Sequence, residues 1–181
     1  NMRCFFCQNH GVSQIGPDDG VFFSPEALLE KAQLLVEDGN IGLAYTYNEP
    51  GVNFEYVRDT SRLIHAQELK NVLVTSGFLS EKPFLKLMET MDAMNIDLKC
   101  FTAEKYEKLD GELETVKRNI AHAIAAVHVE ISMLIIPGFS DNVEEFTNAV
   151  QFLASLSEDV PLHVTRYFPR FRADAPVTQV E

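Results

Sequence analysis

Several things are scarce in this chain, and each shortage removes a class of function. No apolar run is long enough to cross a bilayer, and the first residues lack the basic, apolar and small pattern of a signal peptide. Basic residues are few: 15 Lys and Arg stand against 27 Asp and Glu, for a formal net charge of -12 and a pI of about 4.8. A surface that replaces the counterions of a phosphate backbone needs clustered cations, so this balance argues against a nucleic-acid partner. It argues equally against an anionic membrane surface. Cysteine is rare and odd in number, with only Cys4, Cys7 and Cys100. One C-x-x-C pair and a lone thiol make a poor disulfide framework. They suit metal or redox chemistry in a reducing compartment, so a cytoplasmic protein is expected. The acid excess reads as a well-solvated surface.

What remains is ordinary for a globular domain. The 181 residues are 46% hydrophobic and 23% charged, enough for one domain with a real core. Strand-like and helical segments alternate. Ser24-Pro25 reads as an N-cap and first helical residue, followed by Leu28, Ala32 and Leu35 at helical spacing. Further helical stripes run through Phe54, Val57 and Ile64, over 83–91, through Leu113, Val116, Ile120, Ala123 and Val127, and through Phe146, Val150, Leu153 and Leu156. Strands are predicted over 41–46, 71–75, 94–99, 129–136 and 162–167, and an irregular tail after Pro169. This alternation implies an α/β fold of parallel strands joined by right-handed crossovers. A complete eight-unit barrel takes about 250 residues, so a partial barrel and an open doubly wound sheet both stay open. A strand before the cysteine loop would make six. Internal repeats, low-complexity stretches and linkers are not evident.

Three predicted strands carry polar groups on one face. Asn95, Asp97 and Lys99 oppose Met94, Ile96 and Leu98; Glu130 and Ser132 oppose Ile131 and Met133; His163 and Thr165 oppose Leu162 and Val164. A central parallel strand is normally apolar on both faces. Here the apolar faces are expected to meet helices, leaving the polar ones to line a solvated or ligand-filled interior.

The opening, "NMRCFFCQNH", puts Cys4 and Cys7 on one short loop. Iron–sulfur clusters take soft thiolate ligands, and closely spaced cysteines on a loop can wrap one corner. The chain begins with Asn inside this dense motif, so a longer parent is expected, with Cys immediately before Asn1 to complete C-x3-C-x2-C. Three thiolates would leave a fourth iron open. Zinc held by Cys4, Cys7, His10 and Cys100 is an alternative reading, and so is a dithiol redox pair, although its usual helix-start context is lacking.

Taken together, the segments "NMRCFFCQNHGVSQ" (1–14), "AYTYNEP" (44–50), "NIDLKCF" (95–101), "LIIPGFSD" (134–141) and "HVTRYFPRFR" (163–172) resemble, in order, signatures of radical S-adenosylmethionine enzymes. The resemblance is to the group related to pyruvate formate-lyase activating enzymes, and within it to the radical enzyme of the AmmeMemoRadiSam system. It covers nearly the whole chain, so residues 1–181 are expected to be a radical SAM core domain cut at both ends. It implies a partial TIM-type (βα)6 barrel whose first strand precedes Asn1. It implies a 4Fe-4S cluster and S-adenosyl-L-methionine as cofactors, the cluster reductively cleaving the sulfonium to a 5′-deoxyadenosyl radical that abstracts hydrogen from a substrate. That substrate would be a protein, a peptide or a small molecule, and activation of a glycyl-radical protein is one such task. An electron donor such as flavodoxin or ferredoxin is implied as partner.

Roles follow motif by motif from the resemblance. Cys4 and Cys7 match the second and third cluster ligands, and Phe6 the aromatic residue near the adenine. Asn48 and Glu49 stand where relatives have a Gly-Gly-Glu-Pro stretch that receives the methionine ammonium, with Asn48 in place of a glycine. Thr75 and Ser76, with Gly77, match a Thr-Asn-Gly turn at the cofactor. Asp97 and Lys99 match an Asp-x-Lys pair at its ribose and carboxylate side. Ile135, with Ile136, would offer an apolar wall for adenine. Cys100 replaces a usual glycine and receives no ligand role; roles for His163 and Arg166 stay open. No catalytic residue is expected beyond the cluster and cofactor site. Two other function classes remain: a zinc-stabilised binding module, and a catalytically inert barrel that binds a metabolite.

Overall fold

A computed structural model describes residues 1–14 and 20–177. The elements are, in chain order, α1 (His10–Ser13), α2 (Pro25–Leu34), β1 (Gly42–Tyr45), a 3-10 turn (Pro50–Asn53), α3 (Phe54–Ala66), β2 (Lys70–Thr75), α4 (Glu81–Met88), β3 (Ala93–Asp97), α5 (Ala103–Glu107), α6 (Leu113–Ile124), β4 (His128–Ile135), α7 (Val143–Leu156) and β5 (Leu162–Arg166). Five strands form one sheet in the order β1-β2-β3-β4-β5, and every neighbouring pair is parallel. That order decides between the two architectures left open by the sequence. A doubly wound sheet reverses its strand order partway and carries helices on both faces. Sequential order with right-handed crossovers keeps every helix on one face. The sheet is therefore an open, partial TIM-type barrel, helices outside and a free inner face.

Local chemistry sets the helix starts. Pro25 is the first residue of α2, and the Ser24 side chain accepts from Ala27 N–H. Asn142 caps α7 in the same way through Glu145 N–H. The outer faces of β2, β3 and β4 are apolar and closed: Leu73, Ile96 and Ile131 are fully buried among Val116, Ile120, Phe84 and Leu87 of the covering helices. Burying one such side chain stabilises by roughly 1.5–3 kcal/mol.

Two expectations need correction. Leu162 is partly buried, but Val164, on the same face of β5, is 54% exposed, and α7 leaves it in a shallow apolar pocket with Phe146 and Val143. The helix α5 was not anticipated: its five residues are too few to show an apolar period. Its Tyr106 is nevertheless fully buried. The irregular tail after Pro169 is as expected through residue 177, and the rest of it lies outside the described residues.

Candidate cofactor site

The carboxyl ends of the strands surround a cavity of about 380 Å³. The two-residue period of the strands builds its walls: Val74 from β2, Asp97 from β3, Ser132 and Leu134 from β4 and Thr165 from β5 all point inward. Ser132 Oγ donates to Asn95 Oδ1 at 3.1 Å, tying the inner faces of β3 and β4. Below it, Glu130 receives His163 Nε2 at 2.7 Å and His128 Nε2 at 3.3 Å. Those two contacts hold the Glu130 carboxyl below its ordinary range.

The cysteine loop forms the lid of the cavity. Cys7 N–H donates to Cys4 C=O at 3.2 Å, a tight turn that brings the two thiols to one side. Gln14 Nε2 also donates to the Cys4 carbonyl, at 3.2 Å. The Cys7 carbonyl accepts from His10 Nδ1 at 3.2 Å, which places the imidazole proton on that nitrogen. Cys7 Sγ lies 3.3 Å from Ser13 Oγ. Beneath, Phe5 packs edge to face on Phe6 and Phe139, and Phe6 lies tilted against Phe139, with centroids 5.0–5.7 Å apart. The loop is held to the body by Arg3 N–H to Leu109 C=O and by Arg172 N–H to Phe5 C=O.

Lys99 is the cation of the site. Its Nζ lies 2.7 Å from Asp97 Oδ2, and its backbone N–H donates to the buried Tyr106 hydroxyl at 3.2 Å. Burial opposes the Lys99 charge, but Asp97, the Cys4 sulfur and Glu49 outweigh it and hold the ammonium above its ordinary pKa. Burial raises the Cys4 thiol, and Lys99 pulls the other way.

Glu49 sits at the end of β1 and is 6% exposed. Its Oε1 accepts from Thr75 Oγ1 at 2.7 Å and Gly51 N–H at 3.1 Å; its Oε2 accepts from Ser76 N–H at 2.8 Å and Ser76 Oγ at 2.7 Å. Four donors of the chain itself fill the carboxylate's usual acceptor positions. The turn they clasp contains Gly77 at a φ of +70°, where a Cβ would stand 2.9 Å from Ile96 Cγ2. Asn119 Nδ2, on α6, holds that turn through 2.8 Å bonds to Gly77 and Leu79 carbonyls.

The structure thus brings Cys4, Phe6, Cys7, Asn48, Glu49, Thr75, Ser76, Asp97 and Lys99 to one cavity. Ile135 is not among them. It faces outward with Ser140, Phe146 and Val164, because Leu134 takes the inward phase of β4. The alternation of Glu130 and Ser132 already carried that signal. Tyr106 and Asn119 were missed because their partners lie on other elements. The zinc quartet is not assembled: among the described residues no three His, Cys, Asp or Glu side chains are placed to hold a metal ion. Cys100 is 1% exposed and absent from the cavity lining, its thiol pushed up to about 12 by burial.

Residues 1–153 match the family model described as Radical SAM superfamily. The chain belongs to the radical SAM superfamily. It is 34% identical over 190 residues to an uncharacterized protein, MJ0808, of Methanocaldococcus jannaschii, covering all of this chain and 54% of that one. It is 31% identical over 158 residues to a probable GTP 3′,8-cyclase of Archaeoglobus fulgidus, covering 82% of this chain and 51% of that one. The chain therefore spans about half the length of these two relatives. Its fold is similar to a crystallised domain of a pyruvate-formate lyase-activating enzyme from Bacteroides vulgatus, with a TM-score of 0.63, 20% identity and coverage of 75% and 84% of the two chains. Radical SAM membership implies an iron–sulfur cluster and S-adenosylmethionine. The donors present fit: two soft thiols line the cavity, and the Lys99 ammonium beside Cys4 partly offsets the burial that raises its thiol.

Proposed function

We propose that this radical SAM domain holds a 4Fe-4S cluster through Cys4, Cys7 and a third thiolate, and acts on a protein, peptide or small-molecule substrate. When bound, the cluster and S-adenosylmethionine supply reductive cleavage of the sulfonium and hydrogen abstraction. The observation that carries this reading is the convergence of both thiols, Lys99, Asp97 and the Glu49 clasp on one cavity at the carboxyl ends of parallel strands. That is where parallel α/β folds bind their ligands.

The chain's own residues have distinct tasks in this proposal. Lys99 is held charged by Asp97 and presents its ammonium to the cofactor's carboxylate side. Phe6 and Leu134 supply apolar surface for adenine, Leu134 replacing the role expected of Ile135. The filled carboxylate of Glu49 changes its expected role: it sets the shape of the wall formed by Asn48, Thr75 and Ser76, and the cofactor ammonium meets that wall rather than a free carboxylate. An electron carrier such as flavodoxin or ferredoxin would complete the reaction. Activation of a glycyl-radical protein is one task compatible with the site.

The test uses the full-length parent, reconstituted without oxygen. Cys7→Ala should lose its iron and acid-labile sulfide and all cofactor cleavage. Lys99→Met should keep iron but bind S-adenosylmethionine roughly tenfold more weakly, about 1.4 kcal/mol. Zinc without sulfide in the parent, or normal cofactor affinity in Lys99→Met, would overturn the assignment.

A further inference from the structure

In a chain with a net charge of -12, residues 160–173 hold three arginines and no Asp or Glu. Arg166, Arg170 and Arg172 are all exposed, and so is Phe168, at 52%. Two of the guanidiniums lie against aromatic faces: Arg166 is 5.5 Å from the Phe168 centroid and Arg172 is 4.9 Å from that of Phe171. Such stacking restrains a guanidinium while leaving its in-plane donors open. Elsewhere Arg3 and Arg58 reach carboxylates, yet among the described residues none of these three makes an ion pair.

The segment also has a defined place. Thr165, at the end of β5, lines the cofactor cavity. Six residues later Phe171 stacks on His10 of the cysteine loop, with centroids 4.6 Å apart and an interplanar angle of 17°. Arg172 N–H donates to Phe5 C=O at 3.1 Å. Residues 166–172 therefore run along the rim of the cavity from the edge strand to the lid.

We propose that this strip docks an acidic peptide segment of the substrate, so that the reacting residue enters the cavity beside it. This rests on the reading of the cavity given above and narrows its substrate class. The spread of the charges favours a peptide over a nucleotide phosphate. A phosphate is held by donors that converge on one point, whereas these arginines follow one another along up to about 20 Å of chain. Carboxylates spaced along an extended peptide match them, and Phe168 between them offers an apolar contact. The acidic remainder of the surface repels a long polyanion, which restricts the partner to a short acidic segment.

The probe is a fluorescein-labelled twelve-residue peptide of alternating Glu and Leu, titrated by anisotropy against the reconstituted full-length protein; the control peptide has Lys for Glu. The Glu peptide should bind, weakening as salt is raised, and the Lys peptide should not. A variant combining Arg166→Gln, Arg170→Gln and Arg172→Gln should bind the Glu peptide at least tenfold more weakly, with S-adenosylmethionine affinity unchanged. Equal binding of both peptides, undiminished binding by the triple variant, or displacement of the peptide by inorganic triphosphate at lower concentration than by free Glu peptide would overturn the proposal. Cofactor cleavage is measured in the same preparations. Its loss with peptide binding intact would count against the radical reading and leave the strip in place; the reverse would count against the strip alone.

Discussion

The two faces of the sheet use the same strands for opposite purposes. On β3, Ile96 is fully buried against helices, while Asn95 and Asp97 on either side of it face the cavity. On β4, Ile131 and Met133 face out while Glu130, Ser132 and Leu134 face in. The outer face holds the sheet together through apolar burial, which is non-directional and tolerant of detail. The inner face holds it through directed bonds between polar groups: Glu49 to Thr75 and Ser76, Lys99 to Asp97, Ser132 to Asn95. One face makes a stable scaffold, and the other keeps charged groups near a cavity at the cost of needing every one of them paired.

The contrast breaks most visibly on the outer face. Ile131→Ala removes a fully buried side chain between β4 and its helices, and should lower unfolding free energy by about 2–5 kcal/mol. Urea denaturation measures this, and a loss below 1 kcal/mol would show that the outer core is loose. The inner face should respond differently. Glu49→Ala leaves Thr75, Ser76 and Gly51 donors without their acceptor and should cost about 1–3 kcal/mol, together with weaker cofactor binding. A variant that lost cofactor affinity at unchanged stability would restore Glu49 as a direct ammonium acceptor and remove its clasp role.

The smallest effect expected lies at the other end of the strands. Asp92 accepts from Lys70 Nζ at 2.8 Å and from Asn71 N–H at 2.9 Å. Burial would raise its carboxyl, but these two donors outweigh it and hold the folded pKa below the ordinary value. A lowered folded pKa means the contribution is present above the unfolded pKa, about 4, and is lost as pH falls through the folded value. The pair is partly exposed, so about 1 kcal/mol is expected. Denaturation of the parent and Asp92→Asn should differ by that amount at pH 6 and converge as the pH is taken down through the folded pKa. A difference that stayed constant over that range would assign the effect to packing.

Much of this was legible beforehand because it is periodic. The stripe through Val116, Ile120 and Ala123 is α6, and the alternation in 94–99 gives the two faces of β3 and the loop that follows it. The chemistry-bearing residues were legible because the motifs are local: Cys4, Phe6 and Cys7 lie within four positions, and Asp97 and Lys99 are two apart. Other residues gave no such signal. Tyr106 supports Lys99 from a helix of five residues, and Asn119 holds a turn 42 positions away. Ile135 was assigned to the cavity by its motif, when the phase of its own strand sends it outward.

The sequence by itself determined the alternation of strands and helices, the polar faces and the family, since each depends on residues close together along the chain. Only the tertiary structure decided which wall each residue joins. Sequential strand order, with every crossover on one side, leaves the inner face free and gathers the strand ends around one cavity. The same closure brings Phe171 onto His10 and gives the carboxylate of Glu49 three of its four donors from a turn 26 and 27 positions away. Such contacts form between groups whose separation along the chain carries no period, so they exist only once the outer face has been buried and the strands are fixed in register.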